Sequence, residues 1–144
     1  MTDFVVDASV AVKLAIEEND SRQAVRLRTV SHLFAPDLIW PECANILWKK
    51  WARGELILTD VDLAIRLLRA ASPEVVPSEP LTGRATRLAI ALSHPAYDCF
   101  YLAAASLLQC PFVTSDARLF RKIRSTALQT EDLPDIMLLS ELPV

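Results

Sequence analysis

Phe4-Val5-Val6-Asp7-Ala8-Ser9, residues 4–9, decides how this chain is read. Three apolar residues form a short buried strand, and the run stops abruptly at an acid followed by two small residues. The same plan returns near the other end, where Phe112-Val113-Thr114 closes on Ser115-Asp116. A brief apolar run bounded by polar residues has the length of a buried strand rather than a helix. Leu33-Phe34-Ala35, Glu74-Val75-Val76 (set between Pro73 and Pro77) and Ile136 to Leu139 are further strand candidates. Helical patterns fill the intervals. Strands alternating with helices imply a mainly parallel sheet of four to five strands with helices on both faces, a three-layer α/β/α sandwich. Ligands of such sheets gather at the carboxyl ends of the strands. Asp7 and Asp116 each lie just past one of those ends.

The helices carry boundary signals of their own. Val10 to Ile16 reads as a first helix. Asp20 with Gln23 resembles a capping box for a second, running to about Val30. Trp40-Pro41-Glu42 opens a third, with Pro41 near the first helical position and Glu42 in the first turn, where the helix dipole favours an anion. Gly54 is a suitable residue just past its end. Thr59 with Asp62 caps a fourth, Asp60 to about Ala71, and Thr82 opens a fifth, with Ala85, Leu88, Ala89 and Leu92 on one face. His94-Pro95 breaks that one. Tyr97 to Leu108 follows with Asp98 in its first turn, and Leu119 to Arg124 is a basic helix.

Composition narrows the functional classes. The 144 residues are 52% hydrophobic, enough for one domain, residues 1–144, with a real core. Only 2 glycines against 9 prolines favour a helix-rich fold. Net charge is −3, so nucleic acid would have to be gripped by local basic patches and metal ions, not by the overall field. The opening MTDFVVDAS lacks a basic leader, and no apolar run approaches the ~20 residues that span a bilayer. Three cysteines without a C-x-x-C pair suggest neither a disulfide framework nor a thiolate zinc site. Two histidines are too few for a histidine-built one. A cytoplasmic, reduced protein with no membrane association is expected.

Four acids remain to be explained. Singly, Asp7 and Asp116 are plausible helix caps, and Glu42 and Asp98 are first-turn acids favoured by roughly 0.3–1 kcal/mol. Together they are two strand-end and two helix-start carboxylates, which a doubly wound sheet can bring to one edge. Carboxylates so gathered repel and raise one another's pKa unless a cation neutralises them. Hard oxygen ligands without a His or Cys cluster select Mg²⁺ or Mn²⁺.

With these residues in view, the chain resembles the PIN-domain nucleases, and specifically the VapC-type toxins of bacterial toxin–antitoxin pairs. VVDASVAVKL is similar to the family's first motif, PECANILWKKWARGEL to its second, YDCFYLAAA to its third and VTSDARLF to its fourth; MLLSEL fits the last strand and tail. Four motifs in order and at sensible spacing are specific. The resemblance implies a PIN-like fold and a metal-dependent endoribonuclease, with Asp7, Glu42, Asp98 and Asp116 holding Mg²⁺ or Mn²⁺. It matches Ser9 and Thr114 to small polar residues beside the metal; a helix cap and a β-branched strand residue are their ordinary alternatives. It implies hydrolysis to a 5′-phosphate and a 3′-hydroxyl, an RNA substrate, a cognate antitoxin and a homodimer.

Lys13, Arg118, Arg121 and Lys122 are the candidate RNA contacts, with a solvated helix face as the alternative for each. Trp40, Trp48 and Trp51 fit a protein interface or the core better than base stacking. His94 reads as a loop residue ahead of Pro95, with an RNA contact as the alternative. Cys43, Cys99 and Cys110 read as small buried hydrophobes. Two rivals share strand-end acids with a nuclease. A phosphotransfer protein is disfavoured because Asp7-Ala8-Ser9 lacks a second Asp. A non-catalytic binding module is disfavoured because a scaffold has no reason to keep four repelling acids.

Overall fold

In a computed structural model, which describes residues 1–126 and 133–143, five strands form one parallel sheet. They are β1 (Thr2–Val6), β2 (Ser31–Pro36), β3 (Glu74–Val76), β4 (Phe112–Thr114) and β5 (Ile136–Leu138), in the order β3-β2-β1-β4-β5. Seven α-helices lie among the described residues: α1 (Ala8–Ala11), α2 (Ser21–Val30), α3 (Ile39–Ala52), α4 (Leu58–Ala71), α5 (Thr82–Leu92), α6 (Ala96–Leu108) and α7 (Ala117–Ser125). Parallel neighbours need crossovers, and helices supply them. The expected α/β architecture is present.

The centre of the sheet is β1, flanked by β2 and β4. Its Val5 and Val6 are both fully buried but belong to different cores. Successive strand side chains point to opposite faces, so a central strand must be apolar at consecutive positions. Phe112 and Val113 on β4 divide between the same two cores. One face is covered by α3, α4, α5 and α6. The other packs against Ala24 and Leu27 of α2 and against Leu139. Helix α6 is buried at Cys99, Tyr101, Leu102, Ala103, Ala104 and Ala105, its alanines letting backbone approach sheet. Among the described residues no helix is long and apolar enough to cross a membrane.

Several local expectations change in the tertiary context. Asp20 does not cap α2: its φ of 70° is left-handed and its side chain makes no cap bond. An N-cap needs extended backbone, and Ser21 instead ties this loop, accepting from the Glu18 amide at 2.9 Å and donating to the Ile16 carbonyl at 3.1 Å. The first helix is a four-residue α1 followed by a 3₁₀ turn over Val12–Leu14. Pro41 sits at the third position of α3, still within the turn whose amides need no helical partner. Helix α4 starts at Leu58, and Asp60 rather than Asp62 reaches back to the Ile57 amide, at 3.0 Å. Gly54 stands just past α3 as expected, at φ 77°. Its amide bonds Trp51 and that of Glu55 bonds Lys50, a pairing that closes the helix through a left-handed residue.

Candidate active site

The sheet register brings two strand ends together. Val5 pairs with Phe112 and Val6 with Val113, so Asp7 and Thr114 are the next residues out of adjacent parallel strands. Thr114 Oγ1 donates to Asp7 Oδ2 at 2.6 Å, and Ser9 Oγ donates to Asp7 Oδ1 at 2.5 Å. Each hydroxyl also accepts an amide from the turn after β4: Ser9 from Ser115 and Thr114 from Asp116, both at 3.0 Å. The Val10 amide adds a bond to Asp7 Oδ1 at 3.2 Å, making Asp7 the N-cap of α1. Asp7 is therefore both a cap and the anchor of a network spanning two strands.

That network holds a carboxylate where water scarcely reaches. Asp7 is 7% exposed, and burial raises its pKa from the ordinary 3.8 to about 6. Bonds from Ser9, Thr114 and Val10 oppose the rise, and the charge of Asp98 adds to it. Thr114→Val strips one hydroxyl from this buried carboxylate and leaves the Asp116 amide without its partner. A loss of about 1–3 kcal/mol is expected in urea denaturation, with Thr114→Ser close to wild type.

Glu42, in the first turn of α3, also has a raised pKa, from burial first and then from the charge of Asp98; Tyr101 pulls it back. The Tyr101 ring stacks on Phe112, centroids 6.0 Å apart, and its hydroxyl is buried with no hydrogen-bond partner among the described residues. The phenol and Glu42 thus influence one another without reaching bonding geometry, and burial keeps the phenol protonated far above its usual range. Asp98, in the first turn of α6, acts on both Asp7 and Glu42. Asp98 is therefore in electrostatic range of two of the other expected acids, Asp7 and Glu42.

Asp116 is placed differently. Exposed at the start of α7, it accepts from the amides of Arg118 and Leu119 at 3.0 and 3.1 Å and is tied to Asp7 only through Thr114. It opens on a cleft of about 440 Å³ lined with His94, Arg118, Leu119 and Lys122. Among the described residues no three His, Cys, Asp or Glu side chains form a ready-made metal cage. Two of the acids are otherwise engaged, Asp116 with its own helix and Asp98 with His94. The donor chemistry nonetheless fits a hard cation: carboxylate oxygens, two of them (Asp7 and Glu42) with pKa values raised by burial and by the charge of Asp98, and hydroxyls beside Asp7. The thiols offer no alternative. Burial pushes Cys43 up to about 12 and Cys99 up to about 11, so neither is a thiolate at neutral pH.

The candidate RNA contacts are dispersed. Lys13 donates to the Asn19 carbonyl at 2.9 Å and lies 3.7 Å from Glu18, which also pairs with Lys50 at 2.8 Å. Arg118 and Arg121 are exposed on α7. Lys122 bridges to the corner between α5 and α6, its Nζ 3.0 Å from the Ser93 carbonyl and 3.0 Å from His94 Nδ1. His94 in turn meets Asp98, Nε2 to Oδ2 at 2.6 Å. His94 lies in the loop between α5 and α6, as its place ahead of Pro95 leads one to expect. The i,i+4 spacing of His94 and Asp98 is legible in the sequence, but His94 precedes α6 and Asp98 lies in its first turn, so only the fold shows that the two side chains meet.

Residues 4–125 match the family model described as the PIN domain. VapC ribonuclease Mb0985 of Mycobacterium bovis is 32% identical over 116 residues, covering 81% of this chain and 87% of that protein. Ribonuclease VapC9 of Mycobacterium tuberculosis matches with the same identity and coverage. The crystal structure of PAE2754 from Pyrobaculum aerophilum superposes with a TM-score of 0.62 at 28% identity, over 84% of this chain and 86% of that one. With its parallel sheet, its strand-end acids and a family match along most of its length, this chain belongs to the PIN-domain family.

Proposed function

We propose that the chain is a divalent-cation-dependent endoribonuclease and the toxin of a toxin–antitoxin pair, with Asp7, Glu42, Asp98 and Asp116 as its metal-holding acids. The observation that carries this reading is the buried Asp7, kept at a strand end with a pKa raised to about 6 and in range of Asp98, whose charge also acts on Glu42. Capping α1 and anchoring the network account for Asp7 alone; bringing Asp98 close enough to repel it serves neither role and becomes favourable when a cation joins them. Bound there, Mg²⁺ or Mn²⁺ would supply a water of lowered pKa and offset charge on the scissile phosphate. Ser9 and Thr114 keep both Asp7 oxygens oriented. Arg118 and Arg121, exposed on the helix that Asp116 caps, are placed to hold RNA phosphates close by. The likeness to proteins named as VapC ribonucleases supports RNA as the substrate.

Partner binding has its own surface in this reading. Trp40, Trp48 and Trp51 are 38%, 58% and 52% exposed beside Leu58, Val61 and Ile65, lining an apolar groove of about 380 Å³ between α3 and α4. Apolar area of that kind marks a protein interface. We assign it to the antitoxin or to the second copy of a homodimer, which light scattering with and without the neighbouring gene's product separates. The protein would act in the cytoplasm.

The test of the enzymatic reading is direct. Purified protein is expected to cut structured RNA with Mg²⁺ or Mn²⁺, to leave 5′-phosphate ends, and to stop when EDTA is added. Undiminished cleavage in EDTA, or none with either cation, would remove the proposal.

A further inference from the structure

We infer that His94 is a positioning residue for Asp98, set in place by Lys122; the inference rests on the metal-dependent reading above. An ammonium has only donors. With Lys122 Nζ 3.0 Å from His94 Nδ1, that nitrogen is the acceptor, so the ring proton sits on Nε2 and is donated to Asp98 Oδ2 at 2.6 Å. The chain of bonds therefore has one polarity, from ammonium through imidazole to carboxylate. Asp98 Oδ1 makes no hydrogen bond among the described residues and stays available to the acidic cluster.

Each member of this relay is itself immobilised. Ser93 closes α5 in the left-handed conformation, at φ 50°, and the His94 amide bonds the Ala89 carbonyl at 3.1 Å. Pro95, the residue after His94, is itself the N-cap of α6. Lys122 adds a second bond to this corner, to the Ser93 carbonyl at 3.0 Å. His94 is 16% exposed at its side chain, so its bond to Asp98 is partly sheltered from water. The positive charge of Lys122 also reaches the thiol of Cys99, the residue after Asp98.

The consequence is mechanical as well as electrostatic. Asp116 caps α7 and Lys122 lies further along the same helix, while Asp98 begins α6. The relay therefore joins the helix of the fourth acid to the carboxylate of the third. Asp98 would otherwise be a partly exposed side chain, free to rotate away from its repelling neighbours Asp7 and Glu42. Partners of this kind, one bond behind a ligand, typically change metal affinity about 10–100-fold when removed.

Two readouts on the intact chain decide the matter. In metal-free protein, long-range ¹H–¹⁵N NMR should show His94 as the Nε2–H tautomer, its signals distinguished from those of His32 by their loss in His94→Gln. Asp98 still accepts from Nε2 in Lys122→Met, so that variant should keep the Nε2–H form while its Nδ1 signal shifts on losing the ammonium donor. Mn²⁺ titration should then find affinity reduced about 10-fold or more in His94→Ala and largely restored in His94→Gln, whose amide can donate in place of Nε2. Thermal melts of the metal-free variants check that each is folded, and Gln serves where Ala does not fold. An Nδ1–H tautomer in the wild type, or equal Mn²⁺ affinity in His94→Ala, overturns the role of His94 while leaving the nuclease reading intact. A wild-type chain that binds no Mn²⁺ overturns both.

Discussion

Asp7→Asn is expected to lower RNA cleavage by at least roughly two to three orders of magnitude while making the metal-free protein more stable. The first effect follows from losing a fixed charge at the reacting centre, where one preorganised electrostatic group is worth about that much. The second follows from burial. Raising the Asp7 pKa from 3.8 to about 6 costs the folded state about 3 kcal/mol at neutral pH, at about 1.4 kcal/mol for each tenfold change in proton affinity. Asparagine keeps the shape and removes the charge. It cannot accept hydrogen bonds at both ends, so one of the Ser9 and Thr114 hydroxyls must find another acceptor, at about 1 kcal/mol. A net gain of about 1–2 kcal/mol should appear in urea denaturation in EDTA. With Mn²⁺ the order should reverse, because only the wild type gains from binding. If Asp7→Asn were less stable than the wild type without metal, the carboxylate would not be under the electrostatic load inferred here.

Proton and cation should compete for that same carboxylate. The folded-state pKa of Asp7, about 6, is above its unfolded value of 3.8, so between these the native state binds more protons than the unfolded one. Metal-free stability should therefore rise as pH falls from 7 through 6 and level off below 3.8, by about 3 kcal/mol for this group. Divalent-cation affinity should move the other way. It should be steady above about pH 7 and fall about tenfold per pH unit below 6, more steeply if Glu42, also raised, titrates with it. Mn²⁺ titration from pH 5 to 8 measures this; a flat profile would show that Asp7 is not the group displaced. Cleavage rate at fixed subsaturating metal should fall with the affinity.

These expectations draw on two kinds of information that the molecule keeps apart. Local chemistry was legible along the chain: apolar runs ending in an acid became β1 and β4, Gly54 took the left-handed position after α3, and Asp7 and Asp116 capped the helices that follow them. The α/β class and the likeness to PIN nucleases rested on such segments, because backbone sterics, caps and short apolar runs act over a few residues. Cap details were less secure, as Asp20 and Asp62 show, since a loop drawn into tertiary contacts can choose a different donor.

Only the folded structure decided which residues meet. The order β3-β2-β1-β4-β5 places Thr114 against Asp7 across 107 positions. It brings Asp98 within range of Asp7 and Glu42, turns Asp116 toward its own helix, and sets Lys122 beside His94. Charge interactions and hydrogen bonds depend on distance in space, and a linear pattern carries no record of that distance. Sequence alone settled the supply of acids and their places at element ends; sheet register and helix packing settled which of them interact and how deeply Asp7 is buried.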